Sequence, residues 1–156
     1  MINKDHYLLP LNGLNLTRIL GSWIWLIGAN KTVVALTKSG DMLLTDGSGN
    51  LYFLDTGSGR MEMVANNYLD FLENKLFDEL LDEVLLPNLV DKLNVDGITL
   101  NTGQVYSYLI LPILGGAYDG SNIYPLEIYE HYNLTGEMHQ KIRDLPEGTH
   151  VSINIE

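Results

Sequence analysis

Hydrophobic and polar residues change their spacing twice along this chain, and each change marks a new kind of element. Between Thr32 and Val64 short apolar runs alternate with polar clusters. Residues 33–37, 41–46, 50–55 and 60–64 are rich in Val, Leu, Tyr, Phe and Thr, side chains that suit a pleated surface. The clusters between them, Ser39-Gly40-Asp41, Asp46-Gly47-Ser48-Gly49-Asn50 and Asp55-Thr56-Gly57-Ser58-Gly59, supply glycines for positive φ and short side chains that bond to nearby backbone. The pattern predicts four strands in an antiparallel meander, on which most later elements must pack.

Past Val64 the spacing lengthens to three and four residues. Asn66 and Asn67 can cap a helix in which Leu69, Leu72, Leu76, Leu80 and Val84 form a stripe, widened by Phe77, Leu81 and Leu85. Asp70, Glu73, Asn74, Asp78, Glu79, Asp82 and Glu83 fall on the opposite side, so this helix buries Leu and displays carboxylates. Pro87 ends or kinks it, and a second helical run over 88–93 closes at Asp96-Gly97. Residues 105–111 read as a strand that Pro112 terminates. Gly115-Gly116-Ala117-Tyr118 suits a tight backbone approach, and Asp119-Gly120-Ser121-Asn122 is a turn. A strand over 124–132, a short helix over 135–144, a Pro146-Glu147-Gly148 turn and a strand over 149–155 complete the chain. The sum is an α+β domain.

The first 18 residues carry few signals. Pro10, Asn12 and Gly13 suggest a loop, and Asn15 or Thr17 can cap a short helix leading toward Trp23 and Trp25. Residues 19–29 are the most apolar run, shorter than the roughly 20 residues a membrane span needs and poorly placed for a secretory leader. They are expected to form a buried strand or helix in a soluble, uncleaved, cytoplasmic protein.

At 156 residues and 46% hydrophobic, the chain is long enough for one cored domain and short for two. It has no cysteine, which excludes a disulfide framework, a thiolate metal site and a thiol nucleophile. The net charge of −11 is unevenly spread: residues 1–65 are neutral, 66–97 carry −6 and the remainder −5. Such a field repels nucleic acid and hastens encounter with a basic partner, although plain solubility also accounts for it.

Candidate chemistry is sparse. Asp46, Ser48 and Asn50 alternate like calcium ligands, but Leu51 and Gly57 stand where an EF-hand loop needs Gly and Glu. The glycines join strand to strand and open no phosphate-binding helix. Ser48 and Ser58 lack the G-x-S-x-G frame of a nucleophile elbow. His6, His131, His139 and His150 show no H-E-x-x-H or comparable metal spacing; His131 and His139, with Glu137, could meet only in space, and tetrahedral sites usually have closer ligands. The aromatics lack interleaved Lys and Arg. No catalytic residue, cofactor or metal site is expected, and the chemistry left is recognition.

Five segments carry a resemblance. They are Ser39-Gly40-Asp41 with Leu43; residues 49–56, GNLYFLDT; residues 103–108, GQVYSY; residues 112–118, PILGGAY, followed by Asn122; and residues 136–142, GEMHQKI, with 145–149, LPEGT. In this order they resemble the C-terminal domain of the Tdi-type immunity proteins of type VI secretion, over about Trp23 to Val151. Two departures stand out: Ser39 replaces an expected aromatic, and residues 1–22 are too few for the GAD-like domain often found ahead of this module. The expected organisation is therefore a single domain, 1–156, with residues 1–22 as an extension and 23–151 as the immunity module. The resemblance implies that Gly40, Asp41, Gly115, Gly116, Asn122 and Pro146 keep the fold, and that no catalytic residue carries over. It implies a cognate toxin as partner, plausibly a basic nuclease, without nucleic acid or membrane. Asp70, Glu73, Asp78, Asp82 and Glu83, with Tyr118 and Asp119, are the expected toxin contacts. A structural or regulatory module that self-associates through the Tyr118 region is the alternative.

Overall fold

The computed structural model describes residues 4–67 and 82–145. Seven strands appear: β1 Leu8–Leu9, β2 Lys31–Thr37, β3 Met42–Asp46, β4 Leu51–Asp55, β5 Arg60–Ala65, β6 Gln104–Tyr108 and β7 Ile123–Glu127. The helices are α1 Leu16–Gly21, α2 Ile24–Ile27, α3 Pro87–Val95 and α4 Ile128–Ile142, with 3-10 turns at Lys4–His6 and Pro112–Leu114. Residues 82–85 are also helical.

The four expected strands are β2 to β5, paired antiparallel in sequence order, and β6 pairs with β7 as a separate hairpin. The meander is covered on both faces. Because successive strand residues point to opposite sides, Met42, Leu44 and Leu54 join one core while Leu43 and Leu51 join the other. The first core packs the sheet against Ile19, Trp23, Ile27, Ile128 and Tyr132 from α1, α2 and α4. The second packs it against Val84, Leu85, Val90 and Leu93 and against Tyr106, Tyr108 and Ile123 of the hairpin. A bulge in β2 between Val33 and Ala35 lets Val33 and Leu36 share the first core despite their odd spacing.

Two expectations change. The N-terminal stretch is more than a loop, since β1 pairs with β2 at Leu8–Thr37 and Leu9–Leu36. Two apolar residues are too few to show alternation, and only the partner strand makes them a strand. As expected, the helical run over 82–85 breaks before Pro87, with Leu86 in a left-handed conformation at φ 48°, and Pro87, which lacks an N–H and so suits a first helical turn, opens α3. The strand over 124–132 stops at Glu127, whose carboxylate accepts the Glu130 N–H at 3.0 Å and caps α4. From there Ile128, His131, Tyr132, Thr135, Gly136 and His139 turn inward at helical spacing. Four of these are polar or bare, so the helix begins well before the 135–144 segment that apolar spacing alone suggests. Asn15 caps α1 as expected, accepting the Arg18 N–H at 3.1 Å. Most of the 66–86 helix and all of the 149–155 strand lie outside the described residues.

Trp23 is fully buried and stacks on Trp25 with ring centroids 5.9 Å apart. Trp23→Ala should therefore cost about 3–5 kcal/mol, read as a lower urea midpoint with an unchanged slope. A loss below about 1 kcal/mol would contradict its place in this core.

Candidate functional site

The best-constructed part of the molecule is a buried polar node where α4 meets two turns of the meander, with an exposed loop resting beside it. Gly40 and Asp41 lie between β2 and β3, and Thr56 follows β4. The Thr56 N–H donates to Asp41 Oδ1 at 2.9 Å, and its hydroxyl donates to the Gly40 carbonyl at 2.7 Å. From α4, His131 Nε2 donates to the same Gly40 carbonyl at 2.8 Å, and the Tyr132 hydroxyl donates to the Asp41 carbonyl at 2.8 Å. One turn or more further along, His139 Nε2 donates to the Thr56 carbonyl at 2.8 Å.

These partners settle the chemistry of the histidines. A carbonyl only accepts, so His131 Nε2 carries the proton and Nδ1 is free to accept from the Ser107 hydroxyl at 2.7 Å. The ring is neutral: burial lowers its pKa from 6.5 to about 4. Burial also lowers His139, while its bond to Thr56 and the charge of Asp55 pull the other way. Burial, and after it the charge of Asp55, hold the Asp41 carboxyl well above its usual range, against bonds from Thr56 and Ser39. Gly40 has no room for a side chain, because a Cβ there would lie 2.6 Å from His131 Nε2 at a φ of +92°. His131 and His139 are thus committed to backbone, and Glu137 is exposed. The three do not gather as ligands.

The loop of residues 109–122 joins β6 to β7 and leans on this node. Ile113 N–H donates to the Gly57 carbonyl at 3.4 Å. Asn122, buried at the loop's base, holds it closed: its Oδ1 accepts the Ile110 N–H at 2.8 Å, and its Nδ2 donates to the carbonyls of Ile110 at 2.8 Å and Ala117 at 3.0 Å. The Gly116 position lies so near this clamp that a Cβ would be 1.9 Å from the Ile110 carbonyl oxygen. The Pro112–Leu114 turn and a bond from Gly116 N–H to the Leu111 carbonyl at 3.1 Å fill the middle. Tyr118 meets Tyr108 edge to face at 6.0 Å.

Of the expected toxin contacts, Asp82, Glu83, Tyr118 and Asp119 are exposed. Asp82 and Glu83 flank Val84 and Leu85, which share a core with Leu111, so the acidic turn and the loop belong to one layer. Asp70, Glu73 and Asp78 lie outside the described residues. Asp119 accepts the Ser121 N–H and hydroxyl, which hold its carboxyl below the usual range. The calcium-like Asp46 is occupied in the same way by Ser48, Asn50 and Tyr52, which lower it to about 2. Sequence reasoning overlooked Leu109, Ile110 and Ile113, which are all exposed. An apolar run on both sides of Pro112 was the available signal.

Two outcomes follow from this geometry. Between pH 6.5 and about 4 the unfolded chain takes up a proton that folded His131 refuses, so stability falls as pH drops through that window. The loss reaches up to about 3 kcal/mol at roughly 1.4 kcal/mol per pKa unit. Asp41, whose pKa is raised on folding, pulls the opposite way. His131→Gln should therefore show a shallower pH dependence of its urea midpoint than the parent, and parallel curves would clear the imidazole of this role. Asn122→Ala, which removes three bonds at the loop's base, should cost about 2–3 kcal/mol. It should also speed hydrogen exchange at the Ile110 amide, and an unchanged rate there would mean the clamp is not what holds the loop.

Comparison with known proteins touches this same region. Neither a curated protein nor a solved structure matches the chain. A family model described as T6SS immunity protein Tdi1, C-terminal, matches residues 65–139, just under half of the chain and inclusive of α3, the β6–β7 hairpin, its loop and most of α4. Residues 65–139 are thus similar to the C-terminal domain of the T6SS immunity protein Tdi1, a family described by toxin immunity.

Proposed function

We propose that this protein is a cytoplasmic immunity protein that neutralises a nuclease effector by binding it, without transforming any substrate. The family match over residues 65–139 carries the reading. The nuclease assignment draws on charge. An enzyme that grips phosphate presents a basic surface, and a chain of net charge −11 can imitate the charge of its substrate. Three of the chain's nine Lys and Arg side chains lie over its own aromatic rings. Arg18 lies over the Tyr129 ring at 4.2 Å, Lys31 over Tyr52 at 4.8 Å and Arg143 over Trp25 at 5.2 Å. The binding-only reading is supported by His131 and His139, each committed to a main-chain carbonyl. Among the described residues no helix is long and apolar enough to cross a membrane. Both cores draw residues from either side of position 65, which supports reading the chain as one domain.

Asp70, Glu73, Asp78, Asp82 and Glu83 are proposed to steer the encounter. Reversing them to Lys should slow association with the effector by about tenfold at low ionic strength and flatten its salt dependence, as rim charges do. Stopped-flow mixing with the inactivated effector at several salt concentrations measures both. Unchanged association rates would remove these residues from the interface.

A further inference from the structure

We propose that residues 109–118 of the β6–β7 loop are the seat of the effector, inserting into an apolar groove on that protein rimmed by Lys or Arg. The proposal rests on the immunity reading and narrows it to one loop. Leu109, Ile110, Ile113 and Tyr118 are 51%, 45%, 54% and 49% exposed. They make up four of the nine large hydrophobic side chains exposed among the described residues, and they fall within ten positions of one another. Apolar exposure concentrated in this way marks an interaction surface, whereas single exposed side chains need no explanation.

The loop is also built to hold its shape. Asn122, the Pro112–Leu114 turn and the Gly57 carbonyl fix its backbone at both ends and in the middle. A partner meeting it has little chain to order, so more of the contact free energy survives as affinity. Burying Ile110 and Ile113 in the chain's own core would have been the stabilising choice, and the clamp holds out the segment that carries them instead.

Charge selects the occupant. From Gly97 to Gln140 the sequence contains Asp119, Glu127, Glu130 and Glu137 and neither Lys nor Arg. Asp119 sits in the loop itself, and Asp55 is two residues from the Gly57 that supports it. A second copy would bring the same acids to the same edge, with a net charge of −11 on each chain, and like charges across an interface oppose docking. A protein with cations around an apolar centre meets no such opposition.

The test measures binding of the full chain to a catalytically inactivated type VI effector nuclease, its cognate on the immunity reading, by surface plasmon resonance. The variants are Ile113→Asp, the milder Ile113→Ser, Leu109→Asp, and Val95→Asp as a control, since Val95 is an apolar side chain 82% exposed on α3. The Ile113 and Leu109 variants should dissociate at least about tenfold faster, the usual mark of a lost central contact, with melting temperatures near the parent's. Val95→Asp should stay within about twofold. Loop variants that bind like the parent overturn the proposal while leaving the immunity reading intact. A concentration-dependent dimer that Ile113→Asp dissolves would assign the loop to a second copy and also overturn it. Failure of the parent chain to bind the effector would overturn the immunity reading, and the proposal with it.

Discussion

The bond from His131 to the Gly40 carbonyl joins the last described helix to a turn of the meander inside a region closed to solvent. A broken hydrogen bond there cannot be replaced by water, so each partner constrains the other. Gly40 must be glycine for the ring to approach, the ring must be neutral to remain buried, and Ser107 must supply a hydroxyl for the nitrogen that carries no proton. Tyr132 and His139 extend the same grip to Asp41 and Thr56. The helix is thus docked by polar contacts of fixed direction, to which Ile128 and the ring of Tyr132 add apolar area.

That directionality reaches the surface through β6. Ser107 bonds His131 while Tyr106 and Tyr108 on either side pack into the other core, so the strand spans both layers of the fold. The 109–122 loop leaves from its end and is closed at once by Asn122. A loop launched from a strand with no freedom to shift, and then tied to itself, presents its side chains in one arrangement. This is the reverse of the usual compromise in which exposed recognition loops stay mobile until bound.

Legibility in the sequence followed the chemistry of each element. β2 to β5 were readable to within about two residues because glycine, Asp and Ser mark every turn and the strands between are short. β1 was not, since two leucines carry no period of their own. The bulge in β2 left no mark in the pattern either, being a property of pairing. α4 was half visible: a stripe containing His131, Thr135, Gly136 and His139 does not register as hydrophobic, although all four are buried. The same blindness left His131 and His139 without a structural role, whereas their partners are main-chain carbonyls from distant turns. At the candidate site, Tyr118 and Asp119 were legible as a turn beside an aromatic. Leu109 and Ile110 were absorbed into an expected strand that in fact ends at Tyr108, and Ile113, beyond Pro112, carried no signal of its own.

The segment that matches the family begins at residue 65, yet the carbonyls that satisfy His131 and His139 belong to Gly40 and Thr56. The recognisable half of the chain is therefore not a self-sufficient half. A natural crossover between two relatives at that boundary would set one parent's imidazoles against the other's turns, and any turn lacking a bare α-carbon beside the ring would leave the hybrid unable to close. Surface residues of the loop are free of this restriction. On the proposed reading of that loop, such a scaffold exchanges its partner by altering a few exposed side chains while its two halves are inherited together.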